Sequence, residues 1–237
     1  MSRTAENPAK DAVAYHRELA TNWEQRYRKP AFQARLRVLK ECLAGRDIRL
    51  QDWLDAGCGS GTLTRFLAEA GARVLGVDAA EDMIATASTL GSGHEHSEQL
   101  RFEHIETIEH LPAADQSLDG ILCSSVLEYV ADPPACLAEF ARVLRPGGLL
   151  VVSVPNRRSV VRRTQLGVHG LGRLLRRRWF AFLDYSHHDY TSEGFRALLK
   201  GHGFSAGASV PFGSPIPRWL QRREFGGSLL AFCATRE

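Results

Sequence analysis

The spacing of hydrophobic positions changes along the chain, and the changes predict its elements. From residue 9 to 44 apolar side chains recur at helical intervals: Val13, Leu19, Trp23 and Tyr27, then Phe32, Leu36, Leu39 and Leu43 after Pro30. Such a stripe predicts an amphipathic helical segment, with Gly45 as its stop signal. From about residue 50 short apolar runs alternate with helical stretches. The runs at 51–56, 73–78, 100–105, 118–124 and 149–154 predict strands. The intervening stretches 62–70, 81–90 and 133–143 predict helices, the last opening on Pro133 and followed by Pro146-Gly-Gly148. Leu149-Leu-Val-Val-Ser-Val154 is apolar enough for the middle of a sheet. Strands alternating with helices imply a parallel sheet covered on both faces. The tail differs: a helix over 191–200 with Thr191 as N-cap and Gly201 or Gly203 as its end, then strands at 206–212 and 228–234. That pattern predicts a closing antiparallel pair at the sheet edge.

Composition narrows the class. The chain has 237 residues, 44% hydrophobic and 24% charged, which suits one soluble α/β domain with added elements. A net charge of +3 is too small to argue a nucleic-acid partner from the whole chain. The five cysteines, Cys42, Cys58, Cys123, Cys136 and Cys233, show no CxxC spacing and are odd in number. They speak against a disulfide framework and for a reducing cytoplasm. The N-terminus has no apolar stretch of the signal-peptide kind, and no run of about 18 apolar residues predicts a membrane-spanning helix.

The candidate chemistry starts at Asp55-Ala-Gly57-Cys-Gly59-Ser-Gly61, which follows a predicted strand and opens a helix. Glycines there let the backbone turn sharply and approach a ligand with no intervening side chain. The carboxyl end of a first parallel strand is the usual binding crevice of such sheets. Asp78 ends the second strand, where a carboxylate can accept hydrogen bonds from both ribose hydroxyls. A nicotinamide dinucleotide calls for GxGxxG, whereas this loop is GxGxG preceded by Asp55. A carboxylate at that point repels a pyrophosphate and suits an amino-acid ammonium. The ligand so described is a nucleoside with an amino-acid end and no phosphate.

This loop resembles the first motif of class I S-adenosylmethionine methyltransferases. Val77-Asp78-Ala79 with Met83 resembles their second strand, Leu118-Asp-Gly-Ile-Leu-Cys-Ser124 with Leu127-Glu128 their fourth, and Leu144-Arg-Pro-Gly-Gly-Leu149 the turn into their fifth. The resemblance implies a Rossmann-like, seven-stranded, mostly parallel sheet with an antiparallel final strand. Helices would cover both faces, residues 1–45 would form an N-terminal helical cap, and residues 46–237 the methyltransferase domain. It implies S-adenosylmethionine as cofactor, with the methionine end held by Asp55, Ala56, Gly57, Cys58 and Gly59. Asp78 and Ala79 would hold the ribose, and Met83 would pack on adenine. Glu106, Thr107 and Ile108 would line the adenine edge, and Cys123 would lie beneath the cofactor. Cys58 and Cys123 themselves read as small packing residues rather than nucleophiles.

Within that class the chain is similar to the ubiquinone-biosynthesis O-methyltransferases. Glu106-Thr-Ile-Glu109, Ser153-Val-Pro-Asn-Arg157 and His188-Asp-Tyr190 carry the likeness. Where those enzymes carry a Glu and a Glu-His pair after the fourth strand, this chain has Ser125, Glu128 and Tyr129, so no metal is expected. The resemblance implies O-methylation of a small hydrophobic metabolite, in line behind an electrophilic methyl. A phenol titrates near 10, so a histidine base would help at neutral pH. His188 and His187, in the segment where substrate loops sit, are the candidates, with His169 third. Tyr15 and Trp23 of the N-terminal helix are candidate lid residues beside Tyr27 and His16.

Residues 157–183 hold eight arginines (Arg157, Arg158, Arg162, Arg163, Arg173, Arg176, Arg177, Arg178) and no Asp or Glu. Leucines and valines, then Trp179, Phe180 and Phe182, are interleaved. The segment, part of an insertion at about 156–190, reads as a solvated basic face, as a peripheral contact with an anionic membrane, as an insertion that captures a lipid-like or anionic substrate, or as a nucleic-acid contact. Gly167, Gly170 and Gly172 argue against one long rigid helix and for a mobile lid. The alternatives are an RNA or protein methyltransferase and an inactive binding module that keeps the cofactor fold. The fourth strand ends in Cys-Ser-Ser-Val, without the Asn/Asp-Pro-Pro-Tyr/Phe signature of amino-group methylation on nucleic acid. An intact Asp55, glycine loop and Asp78 speak against the binding module.

Overall fold

A computed structural model describes residues 13–14, 30–175, 177, 179–214 and 216–237. Helix α1 (Pro30–Leu43) precedes β1 (Asp52–Ala56), α2 (Thr62–Glu69), β2 (Arg73–Asp78), α3 (Glu81–Ser92), β3 (Leu100–His104) and β4 (Leu118–Ser124). Then come α4 (Pro133–Val143), β5 (Leu144–Pro155), α5 (Val160–Leu174), α6 (Ser192–Gly201), β6 (Phe204–Ala206), β7 (Val210–Phe212), α7 (Arg218–Gln221) and β8 (Leu229–Arg236). The sheet order is β3-β2-β1-β4-β5-β8-β6, with the short β7 also paired to β8. Strands β1 to β5 are parallel, and β8 runs antiparallel to β5, β6 and β7. The order reverses between β1 and β4, so the carboxyl ends of these two strands open the ligand crevice.

The alternation along β1 explains the two layers. Trp53 packs with Val74, Leu122 and Val151 against α1 and α2, while Leu54 faces Val77, Ile121, Val152, Phe140 and Phe195 on the other side. Gly120 sits on β4 under the Trp53 indole, where a Cβ would lie 2.2 Å from the ring. Helix α1 buries Ala34, Val38, Leu39, Cys42 and Leu43 against the Trp53 layer. The predicted N-cap forms: the Thr191 hydroxyl accepts from Gly194 N at 3.1 Å. Asp132, ahead of Pro133, accepts from Ala135 N at 3.0 Å.

Three expectations change. The stretch 206–212 is not one strand but β6 and β7, both paired to β8. Helix α5 spans Gly167, Gly170 and Gly172 without a break. Glycine costs a helix about 1 kcal/mol each, but His169 anchors the helix. Its Nδ1 lies 2.7 Å from the Trp179 carbonyl and its Nε2 3.0 Å from Asp184. Gly172 leaves room for that returning turn, since a Cβ would stand 3.0 Å from the Arg177 carbonyl. Finally, Cys42 of α1 and Cys233 of β8 are joined in a disulfide, with Cα atoms 5.9 Å apart. The partners are 191 residues apart, and only the fold brings them together.

Candidate functional site

The loop between β1 and α2 is built on left-handed backbone. Gly57, Gly59 and Gly61 have φ of 78°, 54° and 76°, values that side-chain-bearing residues rarely adopt. The main-chain N–H groups of Gly57 and Cys58 both donate to the Val77 carbonyl, at 2.8 and 2.9 Å. Asp78 closes the loop from the far side: Gly59 N donates to its Oδ2 at 2.8 Å, and Ala80 N to its Oδ1 at 2.9 Å. The ring of Phe102 on β3 backs the whole turn. A Cβ at Gly61, Gly76 or Gly91 would meet that ring at 2.8, 2.8 and 2.6 Å. Sequence reasoning missed Phe102; its signal was three glycines on three elements, whose meeting point only the fold defines.

Asp55 is buried, and Thr64 donates to its Oδ2 at 2.7 Å. Burial raises its pKa to about 7, the Thr64 hydrogen bond opposes this, and the nearby Asp78 charge adds to it. Among the described residues, the groups that set this value include no cation. A buried carboxylate beside a second carboxylate is therefore poised to receive a positively charged ligand group.

Ala56 is fully buried behind the loop, and the Ala79 carbonyl lies 3.2 Å from His104 Nε2. Met83 and Ala80 are buried in a cluster with Val13 of the N-terminal segment. Tyr15, His16, Trp23 and Tyr27 lie outside the described residues. Ile105 N donates to the Asp78 carbonyl at 3.1 Å, which brings 106–108 next to the loop. There Glu106 is exposed, Thr107 is half-buried and Ile108 is buried in the core. Cys58 and Cys123 are buried, and burial pushes both thiols up, out of the range of a nucleophile. The structure thus gathers Asp55, Gly57, Gly59 and Asp78 at one strand end, with Met83 and 106–108 along its side.

The crevice continues across β4. Ser125, the first residue past that strand, has φ of 61°, and its N–H donates to Ser153 Oγ at 3.0 Å. Arg35 of α1 donates to Ser125 Oγ at 3.2 Å. Val126 stands against Gly57. Glu128 is 4% exposed, and its Oε2 has no hydrogen-bond partner among the described residues. Burial raises its pKa to about 7, against its own main-chain N–H and the charges of Arg162 and Arg35. Arg162, at the start of α5, is 5% exposed; its Nη2 donates to Ser186 Oγ at 2.6 Å and pairs with Asp189 at 3.1 Å. Its Nε has no partner among the described residues.

The candidate histidines border this cluster. His187 is exposed, and its main-chain N–H donates to the Glu128 carbonyl at 2.8 Å. His188 is half-buried beside Tyr190, with Nε2 3.1 Å from the Val130 carbonyl. An Nε2–H donating there leaves Nδ1 to accept a proton. His169 is taken up by the α5 turn described above.

Comparison with known proteins adds a family. The sequence profile described as a methyltransferase domain matches residues 54–152. The chain is 42% identical over 106 residues to a protein from Parvibaculum lavamentivorans named ubiquinone biosynthesis O-methyltransferase, covering 44% of this chain and 40% of the relative. A protein of the same name from Coxiella burnetii is 33% identical over 165 residues, covering 66% of this chain and 67% of the relative. The match thus spans 40% of the length of the former relative, and 55% of a Xanthomonas oryzae relative of the same name. Among solved structures, the magnesium protoporphyrin IX methyltransferase of Synechocystis with bound SAM shares the fold at a TM-score of 0.69, with 17% identity and full coverage of both chains. A SAM-dependent methyltransferase from Mesorhizobium loti does so at 0.63, with 21% identity, over 84% of this chain and 96% of that one.

Proposed function

The chain belongs to the class I S-adenosylmethionine-dependent methyltransferases, and from that membership we propose that it methylates a hydroxyl of a small, hydrophobic metabolite. The observation that carries the reading is the pairing of buried Asp55 with loop-fastening Asp78 around three left-handed glycines. Those residues fit the cofactor. Asp55 answers its ammonium, the glycine loop accommodates its methionine end, and Asp78 offers carboxylate oxygens to its ribose. Met83 would pack on adenine, and Glu106, Thr107 and Ile108 would line its edge. Bound there, the cofactor supplies an electrophilic sulfonium methyl; the protein has to orient the acceptor behind it and keep water out.

Calorimetric titration with S-adenosylmethionine tests this reading. Asp55 holds a proton up to about pH 7 in the free protein, and an ammonium beside it favours the ionised form. Binding below pH 7 must therefore release that proton. Affinity is expected to rise severalfold from pH 6 toward neutrality and to fall again at higher pH, where the ligand's own ammonium loses its proton, with proton release below pH 7 visible as a dependence of the heat on buffer. No binding, or a flat profile, would overturn the reading.

We also propose that residues 157–183 rest on an anionic membrane surface. No helix among the described residues is long and apolar enough to cross a membrane. Yet Val160, Leu166, Val168, Leu171, Leu174, Leu175, Trp179 and Phe180 are exposed on α5 and the turn after it. Phe225, also exposed, adjoins them, since its carbonyl accepts from Val160 N. Exposed arginines, among them Arg157, Arg163 and Arg177, share the segment. Each such charge near an anionic surface contributes about 1 kcal/mol. The protein is expected to float with vesicles containing phosphatidylglycerol at low salt, to leave them at high salt, and to bind less once Trp179 and Phe180 are alanine. If it stays behind at low salt, this face does not meet membranes.

A further inference from the structure

We propose that Glu128 is the base that takes the proton of the acceptor hydroxyl, with Arg162 steadying the oxygen as it becomes negative. This rests on the methyltransferase reading and deepens it. Three segments distant in sequence build the pair: the loop after β4, the first turn of α5 and the stretch ahead of α6. They are fastened to each other by the His187 N–H on the Glu128 carbonyl and by Arg162 on Ser186 and Asp189. Val126, two residues before Glu128, lies against Gly57, so the same loop joins this cluster to the cofactor crevice.

What points to a ligand is the pair of orphaned atoms. Among the described residues, Glu128 Oε2 is a buried acceptor with no donor and Arg162 Nε a buried donor with no acceptor. Leaving such a group unpaired in the interior is costly. A hydroxyl answers both: its O–H donates to the carboxylate, and one lone pair accepts from the guanidinium. A second lone pair remains for attack. A neutral amine has one lone pair, and a guanidinium donor would occupy it. The pair therefore selects an O–H acceptor over an N–H acceptor.

The balance is simple. The hydroxyl proton passes to Glu128 Oε2, the oxygen lone pair forms the new O–CH3 bond, and the electrons of the breaking S–CH3 bond stay on sulfur. The surroundings suit the role. Arg162 and Arg35 face Glu128 as cations, and Asp189 as an anion, while Tyr190 and Cys123 are neutral neighbours whose ionisation the Glu128 charge opposes. They leave the carboxyl balanced near neutrality, where a general base works best.

The test uses 4-nitrocatechol, whose visible absorption reports its own ionisation, with S-adenosylhomocysteine in the cofactor site. Near pH 7, where Glu128 is partly ionised, wild-type protein is expected to raise the phenolate band above that of the free probe. Glu128→Gln should abolish that rise and, with S-adenosylmethionine, slow methyl transfer to the probe about a hundredfold. The residual rate should climb with pH as free phenolate accumulates. Glu128→Asp should recover part of the loss, and Arg162→Met should lower the band. His188→Gln should lose less than Glu128→Gln on both readouts. Unchanged S-adenosylmethionine affinity and melting temperature in Glu128→Gln separate a base from a structural prop. A wild-type band and rate in Glu128→Gln, a larger loss in His188→Gln, or no probe binding by a protein that does bind S-adenosylmethionine overturns the proposal. Failure to bind S-adenosylmethionine instead overturns the reading beneath it.

Discussion

Asp78→Ala is expected to weaken S-adenosylmethionine binding by several hundredfold. A carboxylate accepting from two ribose hydroxyls makes two charge-assisted bonds, each contributing about 1.5–3 kcal/mol. Their joint loss is at least about 3 kcal/mol, and every 1.4 kcal/mol is tenfold in affinity. The structure adds a second loss. Asp78 already accepts from Gly59 N and Ala80 N, so alanine also unfastens the glycine loop from the end of β2. Asp78→Asn separates the two effects. It keeps one oxygen for Gly59 N but presents an NH2 group where another donor needs an acceptor, and it should fall between wild type and alanine. Calorimetry reads all three, and undiminished binding by Asp78→Ala would remove Asp78 from the site.

That prediction was available from the chain alone, and the reason is local. Asp55, the three glycines and Asp78 lie within 24 consecutive positions, and their spacing is set by one strand-turn-helix-strand unit. The alternation of apolar runs likewise reports which strands are covered on both faces, so β1 to β5 were legible. Glu128 and Arg162 were not legible as a pair. Glu128 was readable only against a metal cluster in relatives, and Arg162 was one of eight arginines in a segment with no acidic residue. Nothing in the spacing says that this arginine turns inward, 5% exposed, while Arg163 beside it faces solvent. The Cys42–Cys233 bridge escaped for the same reason: its partners meet because α1 lies on the sheet face beside β8. The continuity of α5 escaped for another: glycine lowers helix propensity, but packing of the Trp179 turn onto Gly172 overrides it.

Gly57→Ala is expected to reduce methyl transfer by a few hundredfold, and Val126→Ala should restore part of it. Gly57 has a φ of 78°, where a side chain costs roughly 1–2 kcal/mol. Its Cβ would fall 2.3 Å from Val126 Cγ2 and 3.0 Å from Cγ1. One of the two must move, and overpacking of this kind costs about 1–3 kcal/mol. Val126 is continuous with Leu127, which is fully buried, and Glu128. Displacement of the loop would therefore carry the proposed base away from the acceptor while the glycine turn distorts. Trimming Val126 removes the collision and leaves the backbone strain. The double variant should recover about the overpacking part, a coupling of at least 1 kcal/mol in a double-mutant cycle. Val126→Ala alone should change little. A Gly57→Ala protein as active as wild type would mean that this turn does not set the distance between cofactor and acceptor. A double variant no better than Gly57→Ala would mean that backbone strain alone, not the Val126 contact, carries the loss.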